Sequence, residues 1–238
     1  MNMVAPTGIL AEGARGFLQR FEAERANLPG DPAPREEAAA LFRASGLPGR
    51  REEAWRYTDF RPVAEVSFGP AAAPDVSALA ARLPAIDAPR LVFAAGRFRA
   101  DLSTLPDKAA VRTGAPAFGA LADPAREKLV ALNTMFAADG AAVEVAAGVD
   151  AGTLVLASLG AGEEGRAVAF HPRHSIHLRA GAKLTLVEVA IGQGVYLHNP
   201  VTSVTVEDGA TLVHLRLQDE AEGAFHLSTL YADVAARG

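Results

Sequence analysis

The chain has no cysteine among its 238 residues. That absence removes disulfides, thiolate zinc sites and cysteine nucleophiles. It also removes the usual thiolate ligands of an iron–sulfur cluster. There is no excess of positive charge: the formal net charge is −5 and the pI is near 5.7. A nucleic-acid binder would normally carry a basic patch, so none is expected as a partner. No run of about 18 apolar residues exists, so no membrane span is expected. Met1 to Leu10 lacks the basic n-region and apolar run of a signal peptide. A cytoplasmic protein is the default expectation. The Gly-x-x-x-x-Gly-Lys phosphate loop is missing, and so is the Gly-x-Ser-x-Gly nucleophile elbow.

What is present is a repeat. Segments His171–His198 and Asn199–His226 align at an offset of 28 residues. Pro172, Ser175, Gly181, Ala182 and Leu184 then meet Pro200, Ser203, Gly209, Ala210 and Leu212. A fixed period of this size signals a solenoid, in which each repeat buries its apolar face against its neighbours. The offset also makes physical sense. Ile176 and Leu178 fall on Val204 and Val206, so period-2 apolar positions coincide. Arg179 falls on Glu207 and Glu188 on Arg216, and opposite charges facing each other across adjacent strands are mildly favourable. A one-residue slip would oppose apolar and polar positions. Residues 171–226 therefore read as two stacked coils of a parallel β-helix. Right-handedness follows from the general rule for parallel crossovers.

Ahead of the repeat, residues 9–28 read as an amphipathic helix with Leu10, Phe17, Leu18, Phe21 and Leu28 on one face. Gly13 and Gly16 weaken its first turns. A second helix is predicted from Arg35 to Ser45, ended by Gly46 and Pro48. The stretch Arg50–Phe60 holds the single Trp, Trp55. It reads as an aromatic anchor tying the helices together, the alternative being a site for a planar or anionic ligand. Residues 64–74 read as a linker, and Asp75 as the cap of a short helix to Leu83. A β-hairpin is predicted over 91–99, turning near Gly96. A helix is predicted over Pro124–Ala138, with Leu129, Leu132 and Phe136 as its apolar stripe. From Ala141 the period becomes two. Strands are expected near 142–146, 153–157, 167–170, 175–179, 183–190, 202–206, 211–217 and 225–231. The coil before His171 does not fit the offset and needs a different turn length.

All six histidines lie between 171 and 226. In an extended 171–177, His174 faces opposite to His171 and His177. His198 and His226 stack in adjacent coils, but two histidines fall short of the three or more ligands a metal site usually has. Surface or turn histidines are therefore expected, with no metal, cofactor or catalytic residue assigned. The column Leu186 beside His214 and Glu188 beside Arg216 reads as ordinary sheet surface.

Three stretches carry a resemblance. They are Gly46-Leu47-Pro48 followed by Glu53–Thr58; Phe93–Phe98; and Leu132–Phe136 with Asp139-Gly140. Together with the repeat, they make the chain from about 46 to 238 resemble the SufB/SufD family of iron–sulfur cluster assembly scaffold proteins, SufD most closely. The resemblance implies an α+β fold. A mainly helical N-terminal domain over 1–139 carries the hairpin near 91–99, and a partial right-handed parallel β-helix spans 140–238. It implies a non-catalytic scaffold subunit that works with a SufB-like subunit and a SufC-like ATPase. The family's chain continues further, so this sequence is expected to be C-terminally truncated and to lack the ATPase-binding domain. Its open end, residues 225–236, is expected to self-associate. The alternatives are a β-helix enzyme acting on carbohydrate, marked by converging carboxylates, and a structural oligomerisation module.

Overall fold

The computed structural model describes residues 8–118 and 121–238. Residues 1–7, part of the stretch read as lacking a leader, lie outside it. The first helix, α1 (Ile9–Glu24), continues as a short 3-10 turn to Asn27, close to the predicted span. It buries Ala14, Phe17 and Phe21. Gly13 has a packing reason: a Cβ there would lie 2.6 Å from the Ala64 backbone. Helix α2 (Ala33–Ser45) ends at Gly46, whose φ of 62° suits glycine. A one-turn helix, α3 (Arg61–Ala64), follows. Trp55 meets Phe60 edge-on with centroids 5.0 Å apart and packs against this helical core.

The predicted linker is instead structured. It holds the end of α3 and a two-residue strand, β1 (Gly69–Pro70), which pairs in parallel with Val168 and Ala169. Proline is tolerated there because β1 is an edge. Asp75 accepts hydrogen bonds from the Ser77 N–H and hydroxyl at the start of α4 (Ser77–Ala80). The hairpin forms as β2 (Arg90–Ala94) and β3 (Arg97–Phe98), with Ala95 and Gly96 both at positive φ in its two-residue turn. β4 (Ala110–Arg112) was not foreseen.

Helix α5 (Lys128–Phe136) starts four residues later than predicted. Asp123 spends its carboxylate on the Ala125 N–H, which builds a turn, and Glu127 caps the helix by accepting from the Leu129 N–H. The expected apolar stripe is too narrow, since every residue of α5 is buried. The helix lies between α2 and the strands. Lys128 is neutralised there by Glu52 at 2.8 Å, and Asn133 donates to the carbonyls of Pro172 and Asn199.

The remaining strands are β5 (Ala142–Val145), β6 (Asp150–Ala161), β7 (Val168–Phe170), β8 (Arg173–Leu178), β9 (Lys183–Gln193), β10 (Tyr196–His198), β11 (Val201–Val206), β12 (Thr211–Asp219), β13 (Ala224–His226) and β14 (Thr229–Val234). The sequence reading missed β10, and its single strand over 225–231 is two strands, β13 and β14. Ser228 breaks it, as Thr229 N–H turns to the Pro200 carbonyl.

These strands form three sheets, of order β1-β7-β10-β13, β4-β5-β8-β11-β14 and β3-β2-β6-β9-β12. From β7 onward the chain visits the three sheets in turn, and each strand pairs in parallel with the one that precedes it in the same sheet. The fold is α+β, with one wholly parallel sheet and two mixed ones. Ile176 faces Val204 and Leu178 faces Val206, as the offset of 28 requires. The same offset holds from β11 to β14 and from β10 to β13. The preceding coil departs from it: Asp150 pairs with Lys183, and a bulge follows before Thr153 pairs with Thr185. Leu91, Leu156, Leu184, Ile176 and Val204 share the core enclosed by the sheets. Strands β1, β2 and β4, although they precede residue 139, extend these same sheets.

Candidate functional site

The site is built on the β7-β10-β13 sheet. Register places Phe170, His198 and His226 in one column across three strands. Their rings stack, with centroids 4.8 Å apart from Phe170 to His198 and 4.6 Å from His198 to His226. The expected stacking of the two histidines is thus found. Their environment is not the expected one. His198, His171 and His174 are buried, at 3%, 4% and 1% exposure. The reason is that coil corners are filled by rings: His171 stacks on Phe136 and His174 meets Phe93 edge-on. His177, whose Nε2–H donates to the Glu207 carboxylate at 2.7 Å, stays partly exposed.

A third group joins the pair. Glu220, in the turn after β12, is a half-buried residue whose side chain is 5% exposed, with its carboxylate against both rings. One oxygen lies 3.7 Å from His198 Nδ1, and the other is in direct hydrogen-bond contact with His226 Nδ1. The Tyr196 hydroxyl donates to Glu220 at 2.8 Å, and so does the Gln218 amide. Tyr196 reaches this point because Gly160 and Gly192, partners in adjacent strands, have no side chain. A Cβ at Gly192 would sit 1.8 Å from the Tyr196 hydroxyl oxygen. Among the described residues, His198, Glu220 and His226 each offer a ligand atom within 4.8 Å of the others'. The Nε2 atoms of both rings are buried without a hydrogen-bond partner.

Electrostatics fix the charge states. Burial pushes Glu220 up, but hydrogen bonds from His198 and His226 outweigh it and hold the carboxyl far below its ordinary range. Burial pulls His198 down despite the nearby carboxylate. Burial and the hydrogen bond to Glu220 push the Tyr196 hydroxyl up, so it stays a donor. The result is a carboxylate beside a neutral imidazole, held by two polar neighbours.

A small cleft, partly open to solvent, adjoins this group and is lined by His174, Glu188, His198, Arg216, Gln218 and His226 among others. Here the predicted side-chain parity is corrected. Leu186 is fully buried and Glu188 points to the same enclosed side, because Val187, Val189 and Ile191 face Leu79 and other covering residues on the opposite side. The predicted pairing of Glu188 with Arg216 does form, at 3.0 Å, and His214 lies 2.9 Å from the same carboxylate. Arg179 and Glu207 also pair, at 3.1 Å. Glu188 is the one carboxylate lining the cleft, so the converging carboxylates that would mark a glycosidase are not assembled there.

The sequence reading found His198 and His226 but missed Glu220, Tyr196 and Gln218. Glu220 sits in the acidic turn Asp219–Gly223, which reads as a solvated loop. The available signal was its place directly before a strand whose histidine repeats at 28 residues.

Residues 160–238 match the SufBD core domain of the SUF system of FeS cluster assembly. The chain is also similar to an iron–sulfur cluster assembly SufBD family protein of Synechocystis sp. (strain ATCC 27184 / PCC 6803 / Kazusa). It is 26% identical over 222 residues, covering 82% of this chain and 49% of the relative. The chain thus spans about half the length of the curated relative it matches. Among the described residues, no helix is long and apolar enough to cross a membrane.

Proposed function

Because this chain belongs to the SufB/SufD family of iron–sulfur cluster assembly proteins, we propose that it is a SufD-like, non-catalytic scaffold subunit. In this reading its partners are a SufB-like subunit and a SufC-like ATPase, and it works in the cytoplasm. Its architecture is a mainly helical unit to about residue 139 followed by a partial right-handed parallel β-helix. The observation that carries the reading is where the core-domain match falls. It covers β7 to β14, the strands that visit three sheets in turn at a 28-residue register. Handedness rests on the crossover rule.

The test is co-purification. The protein, tagged and expressed with its SufB-like and ATPase partners, should bring both down in fixed ratio. Recovery of the protein alone, with both partners soluble in the same lysate, would remove the assembly reading.

A further inference from the structure

We infer that His198, Glu220 and His226 bind one divalent first-row transition-metal ion, of the Fe²⁺ or Zn²⁺ kind that imidazole and carboxylate donors share. The inference stands on these side chains and does not depend on the scaffold reading. Two imidazoles and one carboxylate form a donor set of borderline character that suits these ions. A tetrahedral ion with bonds of about 2.0–2.2 Å needs donor atoms roughly 3.3–3.6 Å apart. The ligand atoms lie within 4.8 Å of one another, and His198 Nδ1 is 3.7 Å from Glu220. An ion would have to open the direct His226–Glu220 contact and draw the more distant donors together, by rotations of the Glu220 and His226 side chains.

Two further observations separate this cluster from an ordinary buried ion pair. First, the carboxylate is held from behind by the Tyr196 hydroxyl and the Gln218 amide. Metal-ligating carboxylates are themselves hydrogen-bonded in this way, which orients them. Second, both rings leave Nε2 buried and unpartnered. A histidine kept for structure would normally satisfy both ring nitrogens; the corner ring of His171 shares the unpartnered Nε2, but its Nδ1 faces the Asn199 amide oxygen and not a carboxylate. Their hydrogen-bond partner is Glu220, and their faces meet each other and, for His198, Phe170. The cleft lined by His198 and His226 supplies an approach. Its space is on the order of one water molecule, enough for a water as a further ligand. The arrangement was built by the fold: the 28-residue register stacks the histidines, and the two side-chain-free positions at Gly160 and Gly192 admit Tyr196.

The purified full chain should be titrated with Co²⁺ and with Zn²⁺ by calorimetry, and with Co²⁺ by visible absorption. The expected result is one ion per chain with a d–d spectrum of nitrogen and oxygen ligation. H226Q and E220Q should each weaken binding at least about 10-fold, with H177Q, outside the group, unchanged. Since E220Q could unfold the turn, ring-nitrogen NMR of the unaltered protein provides a second reading. Zn²⁺ should shift the His198 and His226 signals and leave His177 in place. Failure of a natively folded chain to bind one ion at millimolar metal, binding that survives both substitutions, or shifts confined to other histidines would overturn the assignment. A preference for Fe²⁺ over Zn²⁺, or the reverse, in competition would identify which ion the site selects.

Discussion

Asn133 shows how much one side chain can carry. It is fully buried, donates to the carbonyls of Pro172 and Asn199, and accepts from Arg173. It thereby joins α5 to two successive coil corners. Asn133→Ala removes all three contacts and leaves the Asn199 carbonyl short of a donor, while the Pro172 carbonyl keeps the Val201 N–H. A loss of about 2–4 kcal/mol is expected in urea denaturation; a loss below about 0.5 kcal/mol would mean that the corners do not need it. His171 carries a pH dependence. Burial, aided by the charge of Arg20, pulls its pKa from 6.5 to about 3. Between these values the unfolded chain holds a proton that the folded chain refuses, so stability rises with pH and falls on acidification. From pH 6.5 down to about pH 4 the contribution lost is on the order of 3 kcal/mol. Folding free energy measured across that range should therefore fall less steeply for His171→Asn than for the parent. Parallel slopes would contradict the burial argument.

Individual elements differ in how legible they were in the sequence, and the difference is physical. Strands β8 and β11 could be read together because each carries its own apolar parity and their match is local in sequence, one period apart. The pairing of β1 with β7 and of β2 with β6 could not, because Gly69-Pro70 has no strand pattern and the partners lie 99 (Gly69 to Val168) and 65 (Arg90 to Val155) residues downstream. The parity of β9 was misread because both its faces are covered, so its run of apolar residues has no polar face to mark the outside. For the site, stacking fixed two of three members. The third came from a turn whose carboxylate is drawn inward by Tyr196 and Gln218, a contact no local pattern encodes. The register itself is open to a direct test. Ile176→Ala should cost about 2–5 kcal/mol. Ile176 and Val204 are neighbours, so the double variant with Val204→Ala should be non-additive by at least about 0.5 kcal/mol, whereas Ile176→Ala with Phe17→Leu in the helical core should add. Additivity at Ile176 and Val204 would argue against the stacked pair.

At the scale of the whole molecule, the outer strands β12, β13 and β14 define one face. Val213, Leu215 and Leu217 on β12 and Leu230 and Val234 on β14 are exposed there. Unpaired strand edges that carry apolar residues invite association. Light scattering of the isolated chain at tens of micromolar, about the range where such edges act, is expected to show species larger than a monomer. Leu215→Lys with Leu230→Lys should shift the population toward the monomer. The scaffold reading concerns the cell, and the most direct measurement is made there. The gene is deleted, and the activities of iron–sulfur enzymes are followed under iron limitation beside those of enzymes without clusters. The expected result is a selective loss of the cluster enzymes, restored by the intact gene. Cluster-enzyme activity equal to the parent's throughout iron limitation would contradict the assembly role.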